Sequence, residues 1–484
     1  MQKEDLVNLV EPKILNKIDF SEAKIISGHD MKLSHNRFDL IFKILYLDAY
    51  NGYCSDFYYE CYKKHIACFT KGTFCEDGNS NKDSISKYTS CFEKLSTSID
   101  KMGYDPSKSL IPLASDGSIL NGAHRTASLI FFSKKAYCLS TNLEPAKYDY
   151  DFFKKSGMPQ WMLDFGAQKF IEYADDCFIA LVWPSADISD SSIEDILDTI
   201  VYKKEIKLNF FGANNLIYEA YKGAVWLDAS ETESSGCKVK QANCFKSERP
   251  VRAYVFQSDS LCKVLDVKNT IRELCKIGKH SIHITDTKEE AVQLSKVIFN
   301  DNSIHALNYA KNWSRKNELI ENYKKHIAID SLNPDDYVIV SGLVLDKYNL
   351  RKASDLDYMT MSSSLNSELF DEHDKELEFH GVEKKELIYN PKLYFWCDGV
   401  KYMSIDQLKR MKLKRGSAKD ISDISLIDEH ISKSRNMTFN SIKSQLIYFK
   451  IKMNYKAIML SKVMLKKMGL FDEAKRVYFK IRNL

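Results

Sequence analysis

Apolar residues recur with a helical period through residues 37–69, where Phe38, Ile41, Phe42, Leu45 and Tyr46 fall on one side, and this spacing predicts an aromatic-rich helix. Gly72 and the polar run 75–84, CEDGNSNKDS, end it in a loop. A second helix is predicted over 86–102. A turn at GYDPSKS then leads into LIPLASDGSIL, a strand-turn-strand pattern in which Asp116-Gly117 suits a tight hairpin. Residues 159–312 mix strand patterns such as CFIALVWP and RAYVFQ with helical ones such as TKEEAVQLSKVIF, and the polar stretch 229–243 reads as an exposed loop. Near residue 331 a last segment opens, with LNPDD leading into the strand YVIVSG.

A chain of 484 residues is too long for one compact core, so two or three domains are expected. The pattern predicts an α/β (α+β) multidomain protein with units at 1–155, 156–325 and 326–430 and a basic helical tail at 431–484. The tail carries thirteen Lys and Arg between Lys433 and Leu484 against Asp472 and Glu473, interleaved with Ile447, Phe449, Ile451, Ile458 and Met459. That composition fits either a solvated helix face or a surface that docks a partner protein or a peripheral membrane. No apolar run approaches the ~20 residues that span a bilayer, and the first residues are acidic where a secretory leader is basic, so a cytoplasmic location is expected. A net charge of +4 is nearly balanced for this length, and no specific nucleic-acid partner is expected. Cys54, Cys61, Cys68 and Cys75 recur every seven residues without a CxxC pair; on an unbroken helix they would spread along one face, as buried thiols rather than a metal site.

The densest chemistry lies at 337–359, YVIVSGLVLDKYNLRKASDLDYM. An apolar strand ends in Ser341-Gly342, a short helix follows, and Asp355 and Asp357 open a second strand. Strand residues two apart share a face, so these two carboxylates project side by side and call for a divalent cation between them. The small Ser341-Gly342 turn would let backbone N–H groups approach phosphates. This order, with the later run 390–427 ending in LKRGSAKDISDISLI, resembles the polymerase-β-like nucleotidyltransferase superfamily over about ninety residues. The chain has Ser then Gly where that superfamily usually has Gly then Ser. The resemblance implies Mg²⁺ or Mn²⁺ on Asp355 and Asp357, an NTP substrate (ATP or CTP), and a third carboxylate from a following strand, for which Glu378 is preferred to Glu376.

A second constellation, Asn121-Gly122-Ala123-His124-Arg125-Thr126, sits between the predicted hairpin and the apolar helix ASLIFF. Glycine lets the backbone approach an anion, the helix start offers free N–H groups, and two cationic side chains follow. Residues 87–140 weakly resemble the ParB/sulfiredoxin superfamily, whose turn of this type binds nucleotide phosphate and whose members include small-molecule kinases. The resemblance implies Glu76 as the base for an acceptor hydroxyl, with His65 and Lys82 as neighbours. In the centre, KHSIHITDT places His280, His283 and Asp286 before a helix whose first turn holds Glu289 and Glu290, and Lys268 and Arg272, four apart, could share an anion.

Together these features predict an NTP- and Mg-dependent transferase of phosphorus-containing groups, kinase and nucleotidyltransferase in one chain. It would act on a small hydroxylated metabolite or glycan, as the pairing implies for bacterial capsule and surface-polysaccharide biosynthesis. The alternatives are a nucleic-acid-associated protein, either ParB-like or acting on RNA ends, and a non-catalytic nucleotide-binding interaction protein.

Overall fold

The computed structural model describes residues 3–52, 54–76, 82–228, 235–365 and 367–435, with a few positions between 460 and 474. The predicted tail lies almost wholly outside the described residues. The protein is mixed α/β, and its described strands form three small sheets. No described helix is long and apolar enough to cross a membrane.

The first sheet holds β1 (Lys24–His29), β2 (Ile111–Leu113) and β3 (Ala136–Ser140), with β3 central, antiparallel to β1 and parallel to β2. The aromatic-rich helix of the sequence is two helices, Asp39–Tyr50 and Asp56–Phe69, because Asn51-Gly52 breaks the chain and the Ser55 hydroxyl caps the second by accepting from Phe57 N at 3.3 Å. Cys54 and Cys75 therefore fall outside helix; Cys54, Cys61 and Cys68 are buried and Cys75 is exposed. The next helix, Ile85–Met102, matches its prediction. At Asp116-Gly117 the turn forms, with Ala114 N donating to Ser118 O at 2.8 Å, but the return is a single bridge between Leu113 and Ile119.

The second sheet contains β4 (Cys177–Val182), β5 (Ile200–Ile206), β6 (Val251–Gln257) and β7 (Ile282–Ile284) in the order β5-β6-β4-β7, every neighbour antiparallel. Helix Asp190–Leu197 links β4 to β5 and helix Leu261–Cys275 links β6 to β7. Ile193, Leu197, Val264 and Ile271 of these helices pack on Ala180, Val182, Phe256 and Ile284, a split β-α-β arrangement with both helices on one face. An excursion of helices between β5 and β6, including Phe210–Ala220 and Ser235–Cys244, widens this unit.

The third sheet runs β10-β9-β8-β12-β11, from β8 (Tyr337–Val340), β9 (Leu356–Thr360), β10 (Phe370–Glu372), β11 (Tyr394–Cys397) and β12 (Val400–Met403). β8 is buried along its whole length, which is why it reads as an unbroken apolar run. One continuous apolar core reaches all three sheets, containing Phe38 and Ile111, Leu181 and Val255, and Val338 and Phe395.

Candidate active site

The ends of β8, β9 and β10 build the site. β9 is antiparallel to β8 with Val340 opposite Asp357, and β10 is parallel to β9 with Asp371 opposite Asp357. Asp355 stands just before β9. Paired positions on adjacent strands and alternate positions on one strand share a face, so Asp355, Asp357 and Asp371 lie on the same side of the sheet end. Burial pushes the Asp357 carboxyl above its usual range; Asp355 and Asp371 push it further, against His373 and a hydrogen bond from Ser341. Among the described residues, no three His, Cys, Asp or Glu side chains converge as a formed metal shell. Carboxylates are the donor type a hard divalent cation takes, and Asp355, Asp357 and Asp371 would be the residues to hold one here.

The turn between β8 and its helix, Gly342–Lys347, is strained. Ser341 has φ 59° and ψ −126°, a backbone region that favours glycine, and its side chain is held on Asp357. A side chain at Gly342 would crowd the Cβ of Ala353 at 3.4 Å and come within 3.6 Å of a terminal guanidinium nitrogen of Arg351. Glycine there lets the turn lie against 351–353 with Arg351 beside it.

Arg351 is fixed by the closing segment. Its Nε donates to buried Asp423 at 2.9 Å, Lys412 Nζ lies 2.9 Å from both Asp423 and Asp420, and Arg415 pairs with Asp420 at 2.8 Å. The Lys-Arg, Lys-Asp and Asp-Ile pattern of the sequence is thus a buried ion network that ends on the site's arginine.

Glu378 is not the strand residue expected. It is exposed on the short helix Leu377–His380, where its backbone carbonyl accepts from Lys414 at 2.6 Å, and Glu376 is taken by Arg415 at 3.2 Å. The strand comes earlier, at β10, and Asp371 holds the place beside Asp357. Sequence reading passed over Asp371 and His373 because a three-residue strand shows no period; the available signal was the cluster Asp371-Glu372-His373 soon after the first acidic pair.

At the N-terminal turn, Gly122 takes φ +86° and starts helix Ala123–Phe131. The Arg125 guanidinium folds back over it, so that a Cβ at Gly122 would meet that group at 3.1 Å, and it reaches the Tyr104 hydroxyl. His124 turns inward: its Nε2 is 2.9 Å from the Tyr62 hydroxyl and its ring stands edge-on to Phe92 at 4.6 Å. Burial, with the nearby cations Lys43 and Lys82, holds its pKa well below the usual imidazole range, so it is neutral at pH 7 and no cationic phosphate donor. Thr126 is fully buried, away from any anion at the turn. Glu76 and Lys82 come together as an ion pair at 3.0 Å, with Lys82 over the Tyr88 ring. His65 lies 3.0 Å from Lys43, which pairs with Asp39 at 2.8 Å.

In the centre, Thr287 caps helix Lys288–Ile298 by accepting from Glu290 N at 3.1 Å, while Glu290 accepts from Asp286 N at 2.7 Å, a reciprocal cap of the kind the spacing foretold. Lys268 pairs with Asp286 at 2.8 Å. No family model, curated protein or solved structure matches the chain.

Proposed function

We propose that the third sheet carries a nucleotidyltransferase-type active site that uses Mg²⁺ or Mn²⁺ with an NTP, ATP or CTP. The observation that carries this reading is the register that sets Asp371 beside Asp357 on the face shared with Asp355. Asp355 and Asp357 would hold the cation, which supplies Lewis-acid neutralisation of the triphosphate when bound. Asp371 stands where it can take the proton from an acceptor hydroxyl as that oxygen bonds the α-phosphorus and pyrophosphate departs. Arg351, locked by Asp423, would stabilise the negative charge that develops on the departing group, at little reorganisation cost because its guanidinium is already fixed. Ser341 orients Asp357.

The acceptor class we propose is a small hydroxylated metabolite or glycan, in the setting of bacterial capsule or surface-polysaccharide synthesis; the pairing of this site with the N-terminal turn supports it. A kinase activity at that turn is the second reading. What favours it is the convergence of Glu76 and Lys82 near Lys43 and His65; there Glu76 would act as base and Lys82 with Arg125 as phosphate ligands.

The test is acceptor-dependent release of pyrophosphate or NDP from each Mg·NTP with a panel of sugars and polyols, read by mass addition of NMP or phosphate, respectively, to the acceptor. Asp357→Asn and Asp371→Asn abolish NMP transfer while Glu378→Gln leaves it intact. Transfer that survives both aspartate changes overturns the nucleotidyltransferase reading. Phosphate transfer that survives Arg125→Ala and Glu76→Gln overturns the kinase reading.

A further inference from the structure

A cavity of about 690 Å³ belongs to neither site just described. It opens in the central unit between the Ser235–Cys244 helix, the Leu261–Cys275 helix and the segment that carries His280, His283 and Asp286. Its lining holds five cations, Lys222, Lys240, Lys268, Arg272 and Lys279, against two carboxylates, Asp286 and Glu290, the second of which lies 3.1 Å from His283. Lys222 is neutralised by Asp398 and Lys268 by Asp286, but among the described residues Lys240, Arg272 and Lys279 have no carboxylate partner.

Lys279 is exposed, but Arg272 and Lys240 are poorly satisfied by hydrogen bonds. The Arg272 Nε is buried with no partner among the described residues, and so is His280 Nδ1. Lys240 makes one bond, to the Lys279 carbonyl at 2.5 Å, and lies 4.8 Å over the Tyr221 ring. Burial pulls the Lys240 pKa down, helped by Lys279 and Arg272, and burial with Lys240 and Lys279 brings His280 to about 4. A buried donor without an acceptor costs on the order of 1–3 kcal/mol, and uncompensated like charges add to it. A polyanion with several acceptor oxygens answers both deficits.

The cavity mouth carries a different group. Trp226 is 40% exposed, packs edge-on to Tyr221 at 5.3 Å, and is seated against Gly236, where a side chain would meet the indole at 2.9 Å. An exposed indole supported from behind is a stacking platform for a planar ring.

We propose that this cavity is a separate binding site for a nucleoside polyphosphate, its phosphates on Lys240, Arg272 and Lys279 and its base on Trp226. Bonding is reversible and needs no divalent cation, since the protein itself supplies the positive charge. In this the site differs from the carboxylate face of the third sheet, which would bind a nucleotide only through a metal.

The difference makes the test clean. Full-length protein is titrated with ATP, and separately with inorganic pyrophosphate, by isothermal calorimetry in excess EDTA. ATP binds saturably to wild type and equally to Asp357→Asn, whereas Arg272→Ala/Lys240→Ala weakens both ligands about ten-fold or more. Trp226→Ala weakens ATP and leaves pyrophosphate unchanged. Acetylation footprinting of the wild-type protein, independent of any variant's folding, shows ATP protecting Lys240 and Lys279. Absence of saturable binding in EDTA, unchanged affinity in the double variant, loss of binding in Asp357→Asn, or unprotected Lys240 and Lys279 each overturns the proposal.

Discussion

Replacing Asp357 by Asn changes one atom and removes one charge, which makes it the sharpest probe of whether the three aspartates are there for a cation. Without metal, the ionised Asp357 is a liability: burial, then Asp355 and Asp371, raise its pKa. A carboxyl whose folded pKa is raised destabilises the fold once pH exceeds that value, and the penalty vanishes below the unfolded value near 3.9. Adjacent strands lie ~4.8 Å apart and alternate residues on one strand ~6.6 Å. At an effective dielectric of roughly 60, Coulomb's law gives about 1.1 kcal/mol of repulsion from Asp371 and about 0.8 from Asp355. Solvent around those two exposed neighbours reduces the total to about 1 kcal/mol. In EDTA, Asp357→Asn should therefore be more stable than wild type by about 1 kcal/mol, a rise of about 1 °C in Tm for a chain of this length. With saturating Mg·NTP the order reverses, because the third-sheet site stabilises wild type by about 2.7 kcal/mol at one hundred times its Kd and the variant loses that gain, while any gain from the central cavity is common to both. Scanning fluorimetry in EDTA and across a Mg·NTP titration measures both. A variant less stable than wild type in EDTA that still shows the full wild-type response to Mg·NTP refutes the reasoning, since the carboxylate would then be a structural partner rather than a waiting ligand.

Ser341→Gly should exceed Ser341→Ala in stability by about 1 kcal/mol, since only glycine accepts φ 59° without strain while both lose the hydroxyl; equal melting temperatures would remove strain from the account. Asp423→Asn should lower stability by about 3 kcal/mol in denaturant titrations, because buried Lys412 loses one of two partners, and should cut kcat/KM through the loosened Arg351; full activity would show that Arg351 does not act at the site. Lys401 is fully buried, donating to the carbonyls of Asp335 and Ile388, and burial pushes its pKa down to about 7, with Lys296 and Lys169 adding and Asp335 opposing. The unfolded chain keeps that proton to about pH 10.4. Between those values it binds more protons than the native state, so stability rises with pH from 7 towards 10, and Lys401→Met flattens the rise in thermal scans.

How much of this was legible beforehand depended on the length of the signal. The Asp355–Asp357 pair and the strand before it could be read because a four-residue apolar strand, a small turn and an acidic alternation are local patterns. The third carboxylate could not. β10 is three residues long, and its membership of the sheet is settled by pairing with β9 across thirteen intervening positions, which no local period records. At the N-terminal turn the residue types were read as cations facing out, but orientation was decided by tertiary packing: a neutral His124 fits against Phe92 and Tyr62, where a charged one would be desolvated. The central cavity was half visible. His280, His283 and Asp286 could be read as one group and Lys268 with Arg272 as an anion-holding pair, whereas Lys240 and Trp226 come from the helical excursion between β5 and β6 and meet them only in the folded chain.

Strain and charge repulsion converge on one place in the third sheet, and that coincidence bears on its purpose. Ser341 is held in a backbone conformation it disfavours, and the group it reaches is the half-buried aspartate beside two others. Either feature alone could be a tolerated defect. Side by side they cost stability twice, and neither contributes to the apolar packing of β8, which is already complete beneath them. A few residues away, the closing segment spends three buried ionisable groups, Lys412, Asp420 and Asp423, to fix one arginine beside Gly342, although apolar residues of similar volume would often pack as stably. Local conflicts of this kind persist where the surrounding structure over-determines them and where a ligand relieves them. On the reading proposed above, a divalent cation would relieve the aspartates and an anion would meet the arginine, and a metal-bound triphosphate would bring both.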